Sequence, residues 1–343
     1  MWTVAASSSS APSFVDLTSA GQTRRLRRLA LSALEAYEVS VCGLVRLHGW
    51  NTTFRVDGPN GERHVLRVQR TDGPTATTVG SELAWLLALG RDTDLAVPQP
   101  IANRFGDPPT VAAAPGVPER RICVLFGWVR GRFLDAGLTE THLRRVGILA
   151  ARLQQHGQTM SMLDGFDRRR VDEVTELGHS RGESLSPTVI SATRDLVDDL
   201  HPGGGAVVAA VLQRVRRTQD LLGFGPDAYG LIHADLHQGN YLFHGDEVGV
   251  IDFDDCGWGH FAYDLAVTVS EVEHLPRRAT LRAALIAGYR SVRSLSAEQE
   301  AAVDDFIALR RLQLALWAVQ HREQPMFADS WKADLLHTLA QLR

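Results

Sequence analysis

The hydrophobic pattern of this chain changes near Arg130, and this change constrains the fold more than any other feature. Before it, short apolar runs at residues 39–47, 52–57 and 64–68 are separated by turn residues such as those at 58–61, a pattern typical of antiparallel strands. After it, apolar residues mostly recur at helical spacing. A strand-rich part followed by a larger helical part predicts a two-lobed α+β fold.

The predicted elements follow this division. Helices are predicted at residues 23–37, 81–89, 143–156, 187–200, 206–222, 261–272, 277–292, 297–321 and 330–342. A further strand is predicted at residues 121–129, an extended segment at 96–102 and a surface loop at 107–118. We therefore expect a flexible tail at residues 1–20, a nucleotide-binding N-lobe at 21–129 and a C-lobe with the catalytic loop and the acceptor-binding helices at 130–343.

One polar segment, His233-Ala-Asp235-Leu-His237-Gln-Gly-Asn240, carries the strongest chemical signal, together with Asp252 further along. Phosphoryl transfer from ATP needs a carboxylate at the acceptor hydroxyl, and oxygen ligands for divalent cations. Mg²⁺ prefers such hard oxygen ligands and usually binds one or two carboxylates together with substrate phosphates. Asn240 and Asp252 fit as metal ligands, which leaves Asp235 to face the acceptor. The segment predicts a kinase that uses ATP and Mg²⁺.

Two alternatives to an active kinase stay open. His233, Asp235 and His237 form an H-x-D-x-H cluster that could belong to a metallohydrolase. Such a site needs further ligands, and the remaining histidines are scattered without paired spacing. The second alternative is a non-catalytic, nucleotide-binding pseudokinase.

The motifs in this chain resemble those of the aminoglycoside phosphotransferase and choline-kinase-like family, relatives of protein kinases that include homoserine kinases and a bacterial stress-response Ser/Thr kinase. The resemblance covers residues 39–318 and is sharpest around Asp235. It implies a protein-kinase-like fold with a small antiparallel-sheet N-lobe and a larger, mostly helical C-lobe. It also implies that Asp235 is the catalytic base, that Asn240 and Asp252 bind the metal, and that His233 and Asp264 anchor the catalytic loop.

The resemblance also assigns nucleotide binding to residues of the first lobe. The residues assigned to ATP are Gly49, Asn51, Thr52, Arg67, Glu82, Phe126 and Trp128. Gly49 would allow the backbone to approach the phosphates. Arg67 departs from the family pattern, because a phosphate-binding lysine is expected there, with Glu82 as its partner. Arginine can grip two phosphate oxygens, but it does not act as the point charge that a lysine provides.

The acceptor is expected on the C-lobe, near Asp255, Trp258, His260 and Glu271. In the antibiotic and choline branches of the family, acidic and aromatic residues hold cationic substrates. We therefore expect a small hydroxylated molecule, either an antibiotic such as an aminoglycoside, whose phosphorylation would confer antibiotic resistance, or an amino alcohol or other metabolite. The alternative acceptor is a protein Ser/Thr, as in the stress-response branch.

Composition narrows the partners further. The formal net charge of −4 gives no reason to expect nucleic acid or an anionic membrane as a partner. No apolar run approaches the length of about 20 residues that a membrane span needs. We expect a cytoplasmic protein that is a monomer or a homodimer.

Overall fold

The structure is a computed structural model that describes residues 13–47, 49–71, 73–134, 137–160, 165–172, 197–324 and 326–342. The chain divides into two compact units. The first contains Met1–Gly73 and Gln99–Trp128, and the second contains Pro74–Pro98 and Val129–Arg343. The predicted α+β class, with an antiparallel sheet in the first part and mostly helices in the remainder, is confirmed.

An antiparallel sheet of five strands forms the first unit. Helix α1 (Ser19–Leu34) precedes strands β1 (Gly43–Leu47), β2 (Thr52–Asp57), β3 (Arg63–Val68), β4 (Pro109–Ala112) and β5 (Arg121–Gly127), which are ordered β1-β2-β3-β5-β4. The side chain of Thr18 caps α1 by accepting a hydrogen bond from the Gly21 N–H. Alternate residues of β2, Phe54 and Val56, are fully buried and pack against Leu29 of α1.

Strand β4 corrects the predicted surface loop at residues 107–118. Pro109 cannot donate a backbone hydrogen bond, which favoured a loop, but β4 lies at the edge of the sheet and pairs only with β5. A proline at the first residue of an edge strand removes no ladder hydrogen bond that the strand needs.

The second unit begins with helix α2 (Ala76–Asp92), which differs from the predicted N-lobe bounds of 21–129. The reason is packing. The buried Trp85 ring lies edge-on to Phe253, with ring centroids 5.3 Å apart, and its Nε1–H donates to His156 Nδ1 at 3.2 Å. These contacts place α2 in the same compact unit as residues 129–343.

The remainder of the second unit is mainly helical. Its further helices are α3 (Glu140–Thr159), α4 (Gly204–Leu222), α5 (Phe261–Ser270), α6 (Arg278–Arg290), α7 (Ala297–Gln320) and α8 (Trp331–Gln341). Two antiparallel strand pairs separate α4 from α5, namely β6 (Tyr229–Ile232) with β9 (Gly257–His260) and β7 (Tyr241–His244) with β8 (Glu247–Val250). In the predicted helix at 187–200, residues 187–196 lie outside the described residues, as do residues 1–12 of the predicted tail.

Helices α3 and α6 approach closely because each has a glycine at the contact. A Cβ on Gly147 would lie 2.1 Å from the Leu285 carbonyl oxygen, and a Cβ on Gly288 would lie 2.0 Å from that of Arg144. The described helices include none that is both long and apolar enough to cross a membrane.

Candidate active site

The loop between β6 and β7 is held in a strained backbone conformation. Ala234 has a φ of 69°, a left-handed conformation that a residue with a Cβ seldom adopts. Such strain costs about 1–3 kcal/mol and persists only where the surrounding structure enforces it. The fully buried carboxylate of Asp264 does so by accepting hydrogen bonds from the Ala234 N–H at 2.7 Å and the His233 N–H at 3.2 Å.

Asp264 is therefore placed to fix the loop, as the family resemblance implies. Burial raises the pKa of its carboxyl group, and the backbone N–H donors and the side chain of Gln154 act in the opposite direction by stabilising the ionised form. Thr268, one turn further along α5, donates its hydroxyl to the Leu236 carbonyl at 2.7 Å. Helix α5 thus holds both ends of the segment that carries Asp235.

Hydrogen bonds to both ring nitrogens fix the tautomer of His233. Its Nδ1 accepts from the Asp235 N–H at 3.3 Å, so Nε2 carries the hydrogen and donates to the Ile251 carbonyl at 3.0 Å. The imidazole therefore ties the loop at Asp235 to the residue before Asp252. A ring occupied in this way has a structural role rather than that of a proton carrier.

Asp235 is almost fully buried, at 1% exposure, and its carboxylate lies among polar side chains. The Asn240 side-chain amide donates to its Oδ2 at 3.0 Å and to its backbone carbonyl at 2.9 Å. His237 Nε2 lies 3.4 Å from Oδ2, and the guanidinium of Arg310 forms an ion pair with Oδ1. The loop therefore presents a carboxylate whose orientation is fixed before any acceptor binds.

Asn240 and Asp252 offer oxygen atoms suited to a hard cation. Because the Asn240 amide nitrogen donates to Asp235, the amide oxygen is the atom left to act as a ligand. The Ile251 N–H donates to the Asn240 carbonyl at 2.9 Å, which brings Asp252 beside Asn240. Asp252 itself has a left-handed backbone, with φ 68°. An amide oxygen and a carboxylate match the ligands that Mg²⁺ takes alongside phosphates.

The metallohydrolase alternative lacks its ligand set. Both His233 nitrogens are engaged, and His237 Nδ1 accepts from the Gly239 N–H at 3.0 Å. Across the described ranges, no three His, Cys, Asp or Glu side chains are gathered as a metal site.

Arg310 was not identified from the sequence, because it lies on α7, 75 residues after Asp235. Burial disfavours its charge, but Asp235, Tyr263 and Asp255 outweigh this effect and raise the pKa of its guanidinium. Nothing in the local sequence distinguishes Arg310 from the neighbouring Arg311, which forms an ion pair with Glu273. Only the packing of α7 shows which arginine reaches the catalytic loop.

A small cavity of about 60 Å³ lies next to Asp235. Its lining includes Ala234, Arg169, Asp255, Tyr263, Arg310 and Trp317. Of the residues expected to hold the acceptor, Asp255 is present in this lining, and it pairs with Arg169 at 3.3 Å. Trp258 is half-buried beside Phe166, and Glu271 is half-buried just after α5; neither lines this cavity.

His260 does not have the expected acceptor-binding geometry. Its ring is fully buried, with Nδ1 bonded to Asp172 and Nε2 donating to the Gly223 carbonyl at 3.0 Å. Both ring nitrogens therefore have hydrogen-bond partners within the protein. Because no polar atom of the ring is left for a ligand, His260 is a structural residue, which corrects the expectation.

The first unit carries most of the residues predicted to bind the nucleotide. They lie on strands β2, β3 and β5 or next to these strands in the sequence. Asn51 and Arg67 are buried, at 8% and 6% exposure, and the Arg67 guanidinium lies 5.1 Å from the centre of the Phe126 ring. The Trp128 ring contacts Arg63 at 5.8 Å. Gly49 has a φ of 151° and Thr52 is the first residue of β2. Glu82 is buried within α2 of the second unit, so its pairing with Arg67 stays a prediction.

Comparison with known proteins identifies the family. Residues 45–331 match the phosphotransferase enzyme family, APH. A solved structure of a microcompartment-associated aminopropanol kinase is 30% identical, with a TM-score of 0.69, over 90% of this chain and 94% of that chain. The amicoumacin kinase hAmiN, solved with AMP-PNP, Ca²⁺ and Ami, is 18% identical with a TM-score of 0.74, over 95% and 96% of the two chains, and shows the shared fold.

Among curated proteins, a homoserine kinase of Rhodopseudomonas palustris is 29% identical over 245 residues, which are 69% of this chain and 64% of that relative. The alignment therefore spans slightly less than two thirds of the relative's length. The family match covers most of the chain and includes the loop at Asp235. The chain therefore belongs to the phosphotransferase enzyme family and is an ATP-dependent phosphotransferase with an alcohol group as acceptor.

Proposed function

We propose that this enzyme transfers the γ-phosphate of ATP, with Mg²⁺, to the hydroxyl of a small molecule, and that Asp235 is its catalytic base. The observation that carries the proposal is the hydrogen bond from Asn240 to Asp235 within the strained loop. The hydrogen bond engages the amide nitrogen of Asn240 and leaves its amide oxygen as the ligand atom. One residue can then bind a metal while the other receives a hydroxyl.

Each residue has a distinct task in the reaction. Asp235 accepts the hydrogen bond of the acceptor hydroxyl and then its proton, as the oxygen forms a bond to the γ-phosphorus and the bond to the β-phosphate oxygen breaks, releasing ADP. Asn240 and Asp252 would hold Mg²⁺, which would neutralise charge on the phosphates. Catalysis by this arrangement depends on positioning and on charge stabilisation.

Nucleotide contacts are assigned to residues of the first unit. Arg67 binds phosphate oxygens. Phe126, on β5, and Trp128, just after β5, lie beside the adenine. The phosphates are faced by Gly49 and Asn51, in the turn before β2, and by Thr52, the first residue of β2. Arg67 lies on β3 with 6% exposure, and a guanidinium can hold two phosphate oxygens at once.

Similar proteins support a small acceptor. The names of the two relatives with 29–30% identity refer to homoserine and aminopropanol, both compact molecules with a hydroxyl and an amino group. The cavity of about 60 Å³ beside Asp235 suits a compact group, since one water occupies about 10–15 Å³ on this measure. We therefore favour a metabolite of this size over an aminoglycoside or a protein Ser/Thr.

The test is a paired measurement on Asp235→Asn, which keeps the size of the side chain and removes its charge and basicity. We expect kcat to fall about 10²–10⁴-fold, with Mg-ATP affinity nearly unchanged, because Asn240 and Asp252 still hold the metal. Asp252→Ala should instead weaken Mg-ATP binding. The exposed Asp246, which lies between β7 and β8, provides the matched control, and Asp246→Asn should leave both quantities unchanged.

Two results would contradict the proposal. An unchanged kcat in Asp235→Asn would remove its role as the base. Unchanged Mg-ATP affinity in Asp252→Ala would remove the assigned metal site.

A further inference from the structure

The charges around the cavity beside Asp235 are already matched. Asp255 pairs with Arg169, and Asp235 pairs with Arg310. In the part of the chain that the structure describes, every carboxylate at this cavity therefore has an arginine partner. An ammonium group entering here would have to compete with a guanidinium for each carboxylate. This arrangement does not favour a cationic group on the acceptor at this point.

Arg310 has more hydrogen-bonding capacity than Asp235 uses. Its side chain is 14% exposed and lines the cavity. One guanidinium nitrogen pairs with one carboxylate oxygen of Asp235, and the guanidinium also hydrogen-bonds to Tyr263. A guanidinium has five N–H donors in a planar fork that fits a carboxylate with two parallel hydrogen bonds. The group is therefore suited to bind a second carboxylate from the cavity side.

The reaction itself creates a need for that second anion. When Asp235 takes the proton of the acceptor hydroxyl, its carboxylate becomes neutral, while Arg310 keeps its positive charge. The remaining anionic neighbour of Arg310 is then Asp255, which already pairs with Arg169, and a nearly buried cation with so little compensating charge is disfavoured. A carboxylate on the acceptor would supply the missing charge in the step in which Asp235 loses its own.

We propose that Arg310 is a specificity-determining residue that binds a carboxylate of the acceptor, so that the acceptor is a compact hydroxy acid or hydroxy amino acid. This inference rests on the proposed function, because it takes Asp235 as the base that receives the hydroxyl proton. Tyr263 and Gln313 support the geometry. The Tyr263 hydroxyl donates to Gln313 Oε1 at 2.6 Å, which fixes both side chains beside the guanidinium.

The experiment uses matched acceptors that differ only in the carboxylate. Homoserine, serine and threonine are each compared with the amino alcohol that remains when the carboxylate is removed, and kcat/KM for ADP release is measured with the full chain. We expect at least one pair in which the carboxylated member is preferred by about 10- to 100-fold, the size of a charge-assisted hydrogen-bond pair.

Variants then separate recognition of the acceptor from support of Asp235. Arg310→Met should reduce the preference within that pair towards unity, whereas a residue that only positions Asp235 would lower both rates by the same factor. Arg311→Met is the matched control on the same helix and should change neither the rates nor the preference. If Arg310→Met does not fold, as judged by circular dichroism, Arg310→Lys replaces it and should reduce the preference several-fold.

The inference is overturned if no carboxylated acceptor is turned over, if the amino alcohols are preferred, or if the Arg310 variant keeps the wild-type preference. Turnover of amino alcohols alone would leave the proposed function intact while removing this inference. Absence of ADP release with every hydroxyl acceptor, combined with no effect of Asp235→Asn on nucleotide turnover, would instead remove the proposed function.

Discussion

At the scale of single residues, the active site depends on side chains that fix a strained backbone. Ala234 and Asp252 both have left-handed conformations; Ala234 precedes Asp235, and Asp252 is itself a proposed metal ligand. Asp264 holds the first turn through two backbone N–H groups, and His233 connects the two turns through the Ile251 carbonyl. Strain that the surroundings enforce in this way keeps the catalytic groups oriented before substrates bind.

Arg67 is the residue at which the chain departs from the family pattern, and its role can be tested directly. Arg67→Lys should keep substantial activity, because a lysine in this position still provides a phosphate-binding charge. Arg67→Ala should raise the KM for ATP and lose most of the activity, because both charge and hydrogen bonds are removed. Steady-state kinetics with varied ATP measures the effect.

Arg55, on the neighbouring strand β2, provides the control for this pair of variants. It forms an ion pair with Asp57 at 2.9 Å and has no assigned role in nucleotide binding. Arg55→Ala should leave the KM for ATP unchanged. Wild-type activity in Arg67→Ala would show that Arg67 does not bind the phosphates.

At the scale of elements, the contact between α3 and α6 depends on two glycines. Gly147→Ala or Gly288→Ala would place a Cβ about 2 Å from a backbone carbonyl oxygen of the facing helix, so the helices must move apart. We expect each change to lower the free energy of unfolding by at least about 2 kcal/mol, in the range of overpacked cores. The denaturation midpoint in urea measures this loss.

Gly80 on α2 is the matched control, since a Cβ there would meet no atom within 4 Å. Gly80→Ala should leave stability unchanged or raise it by about 0.5–1 kcal/mol, because alanine is the better helix former. Equal effects of Gly80→Ala and Gly147→Ala would show that helix propensity, and not close packing, determines the outcome at Gly147.

At the scale of the whole molecule, buried carboxyl groups link stability to pH. Burial alone would raise the pKa of Asp172, but hydrogen bonds and charge from His260, together with Arg170, outweigh it and hold that pKa below its ordinary value. A group of this kind stabilises the fold above its unfolded pKa of about 3.9, and the stabilisation is lost as the pH falls through the lower folded value. The raised pKa of Asp264 has the opposite effect, because the folded chain then binds the proton more tightly.

We therefore expect Asp172→Asn to be less stable than the wild type at pH 7 by about 3–5 kcal/mol, since Arg170 and His260 lose the buried carboxylate with which they pair. The difference should begin to narrow below about pH 4, where the unfolded wild type binds a proton at Asp172, and should continue to narrow until the pH reaches the lower pKa of the folded chain. Urea midpoints at pH 7 and pH 3 measure both values, and Asp220→Asn, at an exposed site on α4, is the control. A constant difference across this pH range would contradict the assigned ion pair.

Much of the fold was predictable because its signals are local. The helical spacing after residue 130 and the turn at residues 58–61 placed β2 and the later helices close to their observed bounds. Strand β4 was missed because its proline suggested a loop, and only its position at the sheet edge makes that proline acceptable. Helix α2 belongs to the second compact unit, which its own sequence does not indicate, because the partners of Trp85 come from distant parts of the sequence.

The sequence by itself determined the catalytic loop, because Asp235, Asn240 and His233 lie within eight consecutive residues and the backbone between them allows few arrangements. The tertiary structure alone decided that Arg310 pairs with Asp235, and that His260 is buried with Asp172 instead of facing an acceptor. The physical reason is how far apart the interacting residues lie along the sequence. Spacing along the chain fixes groups that are a few bonds apart, whereas an ion pair between residues 75 positions apart forms only when the packing of α7 brings them together.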